Sequence, residues 1–378
     1  MKEERIYKEL GDICEVEYGT RVVQARDGGT IYPVYGGGGA TFMMDTFNRE
    51  DRVVVSRFAM SPKCTRLVAG KFFLNDSGLT LKSTNSVLSQ EYLDSYILSI
   101  NDKIYTLGRG LAQKNLKVED LLKLRIYVPS QQQQNVIVSE LSNLNKLIAI
   151  KKKQIEDLET LTQSIFYEMF GDPVVNEKNW KVKKLGEIST LISNGNTPKG
   201  GSDVYVEKGY LFLRSQNVWK NRLELDDVAF IDAPTHAKLK KSILMHNDLL
   251  ITKTGRINTE NSSLGRTALF EGEDGSANIN GHVYLVRLKK GMMHKFVLYI
   301  LISNAYRELI RKTCVGGIDK RQLNRNHIED FPIIFPPIDL QREYVKRVEI
   351  IEHQKSLLNS TVKDLETLLA SRMQYWFD

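Results

Sequence analysis

Two long segments of the chain have the hydrophobic spacing of a coiled coil. Residues 131–170 contain no Pro or Gly, and their apolar positions alternate between spacings of four and three residues. These positions are Ile137, Leu141, Leu144, Ile148, Ile155, Leu158, Ile165 and Met169, with polar interruptions at Lys151 and Thr162. A period of about 3.5 residues over several heptads predicts a long helix that pairs with another helix.

The second segment, residues 337–378, has the same register. Its apolar positions are Tyr344, Val348, Ile351, Leu358, Val362, Leu365, Leu369 and Trp376, interrupted at Lys355 and Arg372. A pair of core helices inside one larger domain is the alternative interpretation. Lysines on the remaining faces, such as Lys152 and Lys346, favour the coiled coil because they leave those faces polar.

The second segment belongs to an internal repeat. Residues 110–116 (GLAQKNL) recur 207 positions later as residues 317–323 (GIDKRQL), and residues 126–129 (IYVP) match residues 333–336 (IIFP). The same offset pairs Gln134 with Gln341, residues 157–161 with residues 364–368 (both DLETL), and Phe170 with Phe377. One constant offset over such a distance predicts two copies of one structural unit.

A second match fixes the domain boundaries. Residues 10–13 (LGDI) resemble residues 185–188 (LGEI) at an offset of 175, so the variable region between the matched blocks is 32 residues longer in the second copy. The predicted organisation is a first globular domain (1–129), a first long helix with a linker (130–173), a second globular domain (174–336) and a second long helix (337–378).

Connectivity predicts the direction of the helix pair. Each helix of about 40 residues is about 60 Å long. The second domain must join the end of the first helix to the start of the second, and only antiparallel helices bring those points to the same end. We therefore expect an antiparallel pair.

The regions between the matched blocks predict mixed domains. Runs rich in β-branched and aromatic residues predict strands at 53–55, 72–74, 210–213, 249–251 and 283–286. Helical spacing predicts helices at 88–107 and 292–312, and glycine-rich stretches at 36–39 and 195–201 predict loops. The expected class is α+β, with two α/β globular domains, an antiparallel coiled-coil pair and an internal pseudo-two-fold repeat.

The charge distribution favours a polyanionic partner. The net charge is +7, and residues 1–180 contribute none of it because they contain 23 basic and 23 acidic side chains. Residues 181–314 contain 21 basic and 13 acidic side chains. A basic domain beside a neutral one fits nucleic-acid binding, although a solvated lysine-rich surface gives the same count.

Several protein classes are disfavoured. The longest apolar run, near residues 296–302, is far too short to cross a membrane. The N-terminus, residues 1–5, leads into no apolar segment, which predicts no signal peptide. Cys14, Cys64 and Cys314 are isolated and odd in number, so we expect no disulfide framework and a cytoplasmic location.

No sequence motif predicts an active site. The chain has no P-loop, no Gly-x-Gly-x-x-Gly between a strand and a helix, no His-x-x-x-His pair and no nucleophile elbow. The glycines at 36–39 predict a turn and not a cofactor loop. We therefore expect no catalytic residue, no metal site and no cofactor.

Polar side chains follow the predicted strands in both copies. Arg, Lys, Asn and Gln at strand ends are the groups that bind base edges and phosphates, although any single one has a loop-capping role as its alternative. In the first domain the candidates are Arg21, Arg57, Asn75, Ser77 and Lys114. In the second they are Arg214, Gln216, Asn217, Lys253, Thr254, Arg256, Asn278, Asn280, His282, Lys320 and Arg321.

The ordered, duplicated set of motifs resembles the specificity (DNA-recognition) subunit of type I restriction–modification systems. The resemblance covers essentially the whole chain. It rests on Leu-Gly-Asp/Glu-Ile at the start of each half, Gly-x-x-Gln/Lys before a strand, the Pro and Gln pairs, Leu-Glu-Thr-Leu within each long helix, and residues 166–173 (FYEMFGDP).

The resemblance implies a non-catalytic subunit in which each domain recognises one half of a bipartite double-stranded DNA target. It implies recruitment of two modification (methyltransferase) subunits that use S-adenosylmethionine, and through them of restriction (endonuclease/translocase) subunits that use ATP. The first domain departs from the second because it is neutral, shorter and carries four glutamines at 131–134. A coiled-coil adaptor that binds no DNA and a cryptic DNA-modifying enzyme are the alternative functions.

Overall fold

The computed structural model describes residues 5–84, 86–257, 259 and 261–377 and divides into two compact units. Unit 1 comprises the described parts of Met1–Ile155 and Leu357–Asp378, and unit 2 comprises those of Glu156–Ser356. Residues 1–4, on which most of the signal-peptide prediction rests, lie outside the described residues. None of the helices in the described part of the chain is long and apolar enough to span a membrane.

Unit 1 is built on a six-stranded sheet of order β2-β7-β5-β6-β3-β4, in which only the β3–β6 pair is parallel. Its strands are β1 (Tyr7–Glu9), β2 (Cys14–Tyr18), β3 (Tyr32–Gly36), β4 (Gly39–Met44), β5 (Arg49–Ser56), β6 (Thr65–Leu74), β7 (Gly78–Ser83) and β8 (Arg125–Tyr127). Its helices are α1 (Leu10–Ile13), α2 (Gln24–Asp27), α3 (Gln90–Ser99), α4 (Asn101–Thr106), α5 (Val118–Leu122) and the first part of α6 (Gln131–Phe170). The buried run of β5 confirms the strand predicted at Val53–Val55.

Unit 2 contains two four-stranded sheets, of orders β10-β20-β16-β18 and β11-β15-β12-β19. Its strands are β9 (Lys181–Lys184), β10 (Ser189–Asn194), β11 (Tyr205–Val206), β12 (Tyr210–Leu213), β13 (Val218–Trp219), β14 (Arg222–Leu223), β15 (Ala229–Ile231), β16 (Leu249–Thr252), β17 (Thr254–Arg256), β18 (Thr267–Leu269), β19 (Ala277–Ile279), β20 (Val283–Leu288), β21 (Val315–Gly316), β22 (Lys320–Gln322) and β23 (Pro332–Phe335). Its helices are α7 (Ala233–Lys238), α8 (His294–Leu301), α9 (Asn304–Thr313), α10 (Arg325–Glu329) and the first part of α11 (Ile338–Phe377).

The two copies of the sequence repeat contain sheets with the same strand order. The strand order β2-β7-β5-β6 of unit 1 corresponds to the order β10-β20-β16-β18 of unit 2. A two-stranded antiparallel pair precedes each long helix, β1 with β8 in unit 1 and β9 with β23 in unit 2. These counterparts confirm the predicted α+β class with an internal repeat.

Each predicted domain helix is divided into two. Residues 88–107 form α3 and α4 with a break at Ile100, where ψ is 20°. The side chain of Asn101 makes the break favourable, because its Oδ1 accepts hydrogen bonds from the backbone N–H groups of Cys64 and Thr65, both at 3.0 Å. In unit 2, Ser303 caps the second helix by accepting a bond from the N–H of Tyr306 at 3.3 Å. The hydrophobic period does not distinguish one long helix from two consecutive short ones.

The long helices α6 and α11, of 40 residues each, are antiparallel where they meet. Within unit 1, Glu140 binds Arg372 and Lys152 binds Glu366, the latter at 2.8 Å. Within unit 2, the Lys355 ammonium binds the Glu159 carboxylate at 2.8 Å. In unit 1 the residue numbers rise along one helix as they fall along the other, which confirms the predicted direction.

The last residue of the matched block anchors each helix end in a core. Phe170 packs in unit 2 against Phe296 and Tyr344, with ring centroids 5.0 and 5.5 Å away. Phe377 packs in unit 1 against Tyr92 and Tyr96, with centroids 5.5 and 5.7 Å away. The equivalence of the two phenylalanines in the sequence therefore reflects an equivalent aromatic contact.

The three cysteines are free and buried. Burial raises the pKa of the Cys14 thiol to about 12, so this thiol stays protonated at neutral pH. The finding agrees with the expectation that no disulfide framework supports the fold.

A buried glutamine lies in the first turn of each long helix. The Gln134 side chain donates to the carbonyls of Val87 (2.7 Å) and Pro129 (2.9 Å) and accepts from the N–H of Ser89 at 2.8 Å. In the second copy, Gln341 donates to the carbonyl of Pro336 at 2.8 Å. In both copies, a hydrogen bond from the Gln side chain to the carbonyl of the preceding Pro therefore stabilises the start of the helix.

We expect Gln134→Leu to lower the free energy of unfolding by about 1–3 kcal/mol, because it leaves buried carbonyl and N–H groups without partners. Urea unfolding followed by circular dichroism measures the change. Gln132→Leu, in the same glutamine run but exposed, is the matched control and should unfold close to the wild type. Equal unfolding midpoints for the two variants would show that the buried amide does not stabilise the helix start.

Candidate nucleic-acid interface

Three segments of unit 2 meet around Lys253, the residue after the buried strand β16. The antiparallel pairing of β16 with β20 sets Thr252 opposite Val283, which brings the turn before β20 alongside. The Lys253 N–H donates to the carbonyl of His282 at 2.8 Å, and the Lys253 carbonyl accepts from the N–H of Leu323 at 2.9 Å. The candidates Lys253 and His282, predicted from separate parts of the sequence, therefore lie together.

A small sheet of order β17-β22-β21 adds four further candidates to this place. In its register Gly255 lies opposite Arg321 and Arg256 opposite Lys320. Thr254 begins β17, and Arg256 is exposed, with its Nε 3.2 Å from the Asp319 carboxylate. This three-stranded sheet holds the positive side chains on one ordered backbone framework.

A cavity of about 550 Å³ opens beside the strands β17 and β22. Its described lining residues are Ser215, Gln216, Trp219, Thr254, Gly255, Arg256, Thr259, Asn261, Ser262, Ser263, Arg266 and Lys320. Among these residues three are cationic and none is acidic. The lining combines hydroxyl, amide and guanidinium groups, which can bind both phosphates and base edges.

Trp219 and Arg266 are functional candidates that the sequence analysis missed. The Arg266 guanidinium lies 3.8 Å from the centroid of the Trp219 ring, and its Nε donates to the carbonyl of Ser262 at 3.0 Å. Burial lowers the pKa of Arg266, but arginine remains charged in proteins. A tryptophan in the basic region was the available signal, and its partner lies 47 positions away in the sequence.

The candidates near β12 mostly brace their own loop. Asn217 is buried, and its amide donates to the carbonyls of Glu224 and Asp227 at 2.9 and 3.0 Å. Arg214 donates to the same Asp227 carbonyl at 2.6 Å. Gln216 is exposed at the cavity and donates to the Asp227 carboxylate at 2.6 Å. Of these three, only Gln216 presents its side chain to the cavity.

Asn278 and Asn280 also have internal partners. Asn278 is buried, and its Nδ2 lies 3.1 Å from Ser242 Oγ while its Oδ1 lies 2.5 Å from His236 Nδ1. Asn280 accepts the N–H of His282 at 3.0 Å and so shapes the turn that exposes the His282 ring. Asn278 therefore ties β19 to the segment 236–242, whereas Asn280 holds the turn before β20 in place.

Unit 1 repeats the central contact. Arg57 follows β5 as Lys253 follows β16, and its carbonyl accepts the N–H of Leu116 at 2.8 Å. Leu116 and Leu323 are the matched leucines of the sequence repeat. Lys114, two residues before Leu116, accepts the N–H of Met60 through its carbonyl at 2.9 Å. The same backbone bond thus joins the same two segments in both units.

The Arg57 side chain lies between two exposed aromatic rings. Its guanidinium carbon is 4.5 Å from the centroid of Tyr18 and 4.7 Å from that of Phe58. The Arg57 Nε is buried without a hydrogen-bond partner among the described residues. Arg21 is exposed in the loop after β2, which is fixed by a bond of 3.0 Å from the Thr20 N–H to the Leu74 carbonyl.

Asn75 and Ser77 hold the glycine-rich turn between β3 and β4. Ser77 Oγ accepts the N–H of Gly37 at 3.0 Å and donates to Asn75 Oδ1 at 2.6 Å. A side chain at Gly36 would bring Cβ within 2.4 Å of Ser77 Oγ, so the close approach requires glycine. The glycines at 36–39 therefore form a packed turn, as the sequence predicts. In the part of the chain that the structure describes, no three His, Cys, Asp or Glu side chains are grouped to hold a metal ion.

Two specificity subunits of type I restriction enzymes are similar in sequence to this chain. The specificity subunit of the type I restriction enzyme MjaIX from Methanocaldococcus jannaschii is 24% identical over 283 residues, and the match covers 69% of this chain and 62% of that protein. The MjaVIII specificity subunit of the same organism is 22% identical over 306 residues, which cover 75% of this chain and 70% of that protein. The chain thus spans less than two thirds of the first of these relatives.

The fold is also that of a solved structure. The crystal structure of the S subunit of a type I restriction–modification system from M. genitalium matches with a TM-score of 0.58 at 16% identity, covering 100% of this chain and 98% of that chain. Residues 3–160 and 177–367 match the family described as the type I restriction modification DNA specificity domain. Because these two segments make up most of the sequence, the chain belongs to the family of type I restriction–modification DNA specificity domains.

Proposed function

We propose that this chain is the non-catalytic, sequence-specific DNA-binding subunit of a type I restriction–modification complex. Each recognition domain reads one half of a bipartite double-stranded target. The observation that carries the proposal is the repeated bond between the residue after the central strand and the matched leucine, Arg57 to Leu116 and Lys253 to Leu323. In each unit this bond joins two segments that are distant in the sequence and so brings their basic side chains close together.

In unit 2 we assign separate roles to the candidates. Arg256, Lys320 and Arg321 lie on the paired strands β17 and β22 and bind phosphates, which position the protein without reading sequence. Lys253 is half-buried and, with Gln216 and His282, binds base edges. Asn217, Asn278, Asn280, Thr254 and Arg214 shape the surface and make no direct contact with bases.

In unit 1, Arg21, Arg57 and Lys114 contact DNA, whereas Asn75 and Ser77 support the turn beneath them. These few cations belong to a region with no net charge, so counterion release gives this half of the target less affinity than the basic half. We propose that the partner subunits supply further positive charge here.

The long helices carry the second part of the proposal. The proposed domains remain residues 1–129 and 174–336, and the helical segments 130–173 and 337–378 set the gap between the two half-sites. The helices also recruit two modification subunits, and restriction subunits join through the complex. Such a complex works on DNA in the cytoplasm.

Methylation mapping of host DNA, with and without this gene, tests the function directly. We expect modified sites that consist of two short blocks separated by several unspecified base pairs, because two separate domains read them. The purified chain should neither methylate nor cleave DNA until its modification and restriction subunits are added. Turnover by the isolated chain, or a methylation pattern that does not depend on the gene, would contradict the proposal.

Two alanine variants separate base contacts from phosphate contacts in unit 2. Arg256→Ala should weaken binding to all sequences alike and reduce the slope of log affinity against log salt by about 1, whereas Lys253→Ala should cost about 1–3 kcal/mol and relax one position of one half-site. Equilibrium binding of the assembled complex to mapped and altered sites measures both effects.

Lys290→Ala is the matched control for these variants. Lys290 is an exposed cation in the same basic domain, but it follows the far end of β20, about 20 Å from the end at His282. Its loss should leave affinity and salt slope near the wild-type values. Equal effects of Lys290→Ala and Arg256→Ala would mean that only net charge matters.

The helices can be tested as a spacer. The cross-helix pairs Lys152–Glu366 and Glu159–Lys355 make positions after Ile155 and after Asn359 face each other. One added heptad at both positions preserves the seam and lengthens the pair by about 10 Å, or about three base pairs at about 3.4 Å per pair. Mapping should therefore show a longer gap with both half-sites unchanged.

A single inserted heptad is the control for the spacer test. Placed in one helix only, it shifts the unaltered partner out of register and should abolish assembly. An unchanged gap in an active double insertion would show that the helices do not set the spacing.

A further inference from the structure

Two aliphatic side chains are exposed far more than any other large apolar residue in the described part of the chain. The relative exposure of Leu111 is 110% and that of Ile318 is 91%, and the next value is 71% for Val175. Leu111 and Ile318 are equivalent positions of the sequence repeat, 207 residues apart. Single exposed apolar residues are common, but recurrence of the two extreme cases at one repeated position requires a reason.

The loop that carries Leu111, tip loop 1 (residues 110–113), is a tight protrusion. Arg109 and Asn115 exchange backbone hydrogen bonds of 2.9 and 2.8 Å at its base. Gly110 has a φ of 123°, and a Cβ there would lie 2.2 Å from the Gln113 carbonyl oxygen, so the turn closes only with glycine. Leu111 is therefore held outward on a braced turn.

Tip loop 2 (residues 317–320) is also closed by antiparallel backbone pairing and a positive-φ glycine, although the glycine lies one position earlier in the repeat. The strands β21 and β22 pair Val315 with Gln322 and Gly316 with Arg321 at its base. Gly316 has a φ of 135°, and a Cβ there would lie 2.8 Å from the Lys320 carbonyl oxygen. Ile318 projects from this hairpin as Leu111 does from tip loop 1.

The surroundings of both tips favour a polyanion over an apolar protein surface. Tip loop 2 ends at Lys320 and is followed by Arg321, and the strand that carries Arg256 pairs directly with it. Tip loop 1 is followed by Lys114 and is joined to Arg57 through Leu116. Asp319, within tip loop 2, pairs with the Arg256 guanidinium at 3.2 Å, and Lys320 and Arg321 follow it. A protruding aliphatic group with several cations nearby matches a duplex, whose phosphates border a stack of apolar base faces.

We propose that Leu111 and Ile318 are apolar wedges that enter the DNA base stack, one in each half-site. This inference rests on the proposed function. The neighbouring cations bind the phosphates on either side of the groove, and the braced turn pushes the aliphatic side chain between two base pairs. Proteins that insert such side chains partly unstack the step and bend the duplex. An opened step beside each half-site lowers the cost of extruding a base for modification.

The test uses the full chain assembled with its modification subunits and duplexes of the mapped target with 2-aminopurine at successive steps. The fluorescence of this base rises when it is unstacked. Wild-type complex should raise the signal at one step in each half-site. Leu111→Ala should abolish the rise in the half-site of the first domain only, Ile318→Ala in the other, and each should weaken binding about tenfold.

The controls separate a wedge from a fold defect and from a charge contact. Neither tip side chain is packed, so the thermal midpoints of both alanine variants should equal that of the wild type. Their salt slopes should also be unchanged, since no cation is lost, and Leu111→Met should retain the signal. Leu67→Ala and Val175→Ala, which remove exposed apolar groups elsewhere in the two units, should alter neither fluorescence nor affinity.

Two outcomes would overturn the inference alone. One is tight, sequence-specific binding by wild-type complex with no rise at any step. The other is a loss of affinity in Leu111→Ala that is reproduced by replacing thymine with uracil, without a fluorescence change, because that result identifies a thymine methyl contact. Failure of the wild-type complex to bind the mapped target at all would instead remove the proposed function, and this inference with it.

Discussion

The fold depends on how each long helix is fixed at both of its ends. A buried glutamine, Gln134 or Gln341, satisfies the carbonyl of the preceding proline at the start, and a phenylalanine, Phe170 or Phe377, is buried in an aromatic cluster at the end. Hydrogen bonds of this kind are costly to leave unmade in a buried site. The register of a helix is therefore set by polar and aromatic contacts as well as by its heptads.

Because the helix ends are anchored in this way, the segments between the matched blocks can differ in length and sequence between the two units. The strands of the common four-stranded order and the two-stranded pair before each helix form the constant frame of a unit. The second unit adds a further sheet, β11-β15-β12-β19, without altering that frame. Loops on a rigid support are where proteins most often carry binding residues. The frame explains how two units of different length and charge retain one architecture.

Electrostatics divides the candidate residues into two groups. Buried side-chain amides, such as those of Asn217 and Asn278, make their hydrogen bonds to groups inside the protein, because an unpaired buried polar group is unfavourable. Exposed cations on the paired strands β17 and β22, such as Arg256 and Lys320, remain accessible to a ligand. The difference between a bracing and a contacting residue is thus one of burial, which residue type alone does not reveal.

The sequence by itself determined the repeat, the antiparallel helix pair, the α+β class and the family, because each follows from periodicity, chain connectivity or ordered motifs. It also predicts a binding site at polar residues that follow strands, such as Arg57 and Lys253. Only the tertiary structure decided that Asn75 supports a glycine turn, that Trp219 stacks on Arg266, and that Leu111 and Ile318 stand fully exposed. Those outcomes depend on which distant segments meet, and strand pairing across long sequence separations leaves no local pattern in the chain.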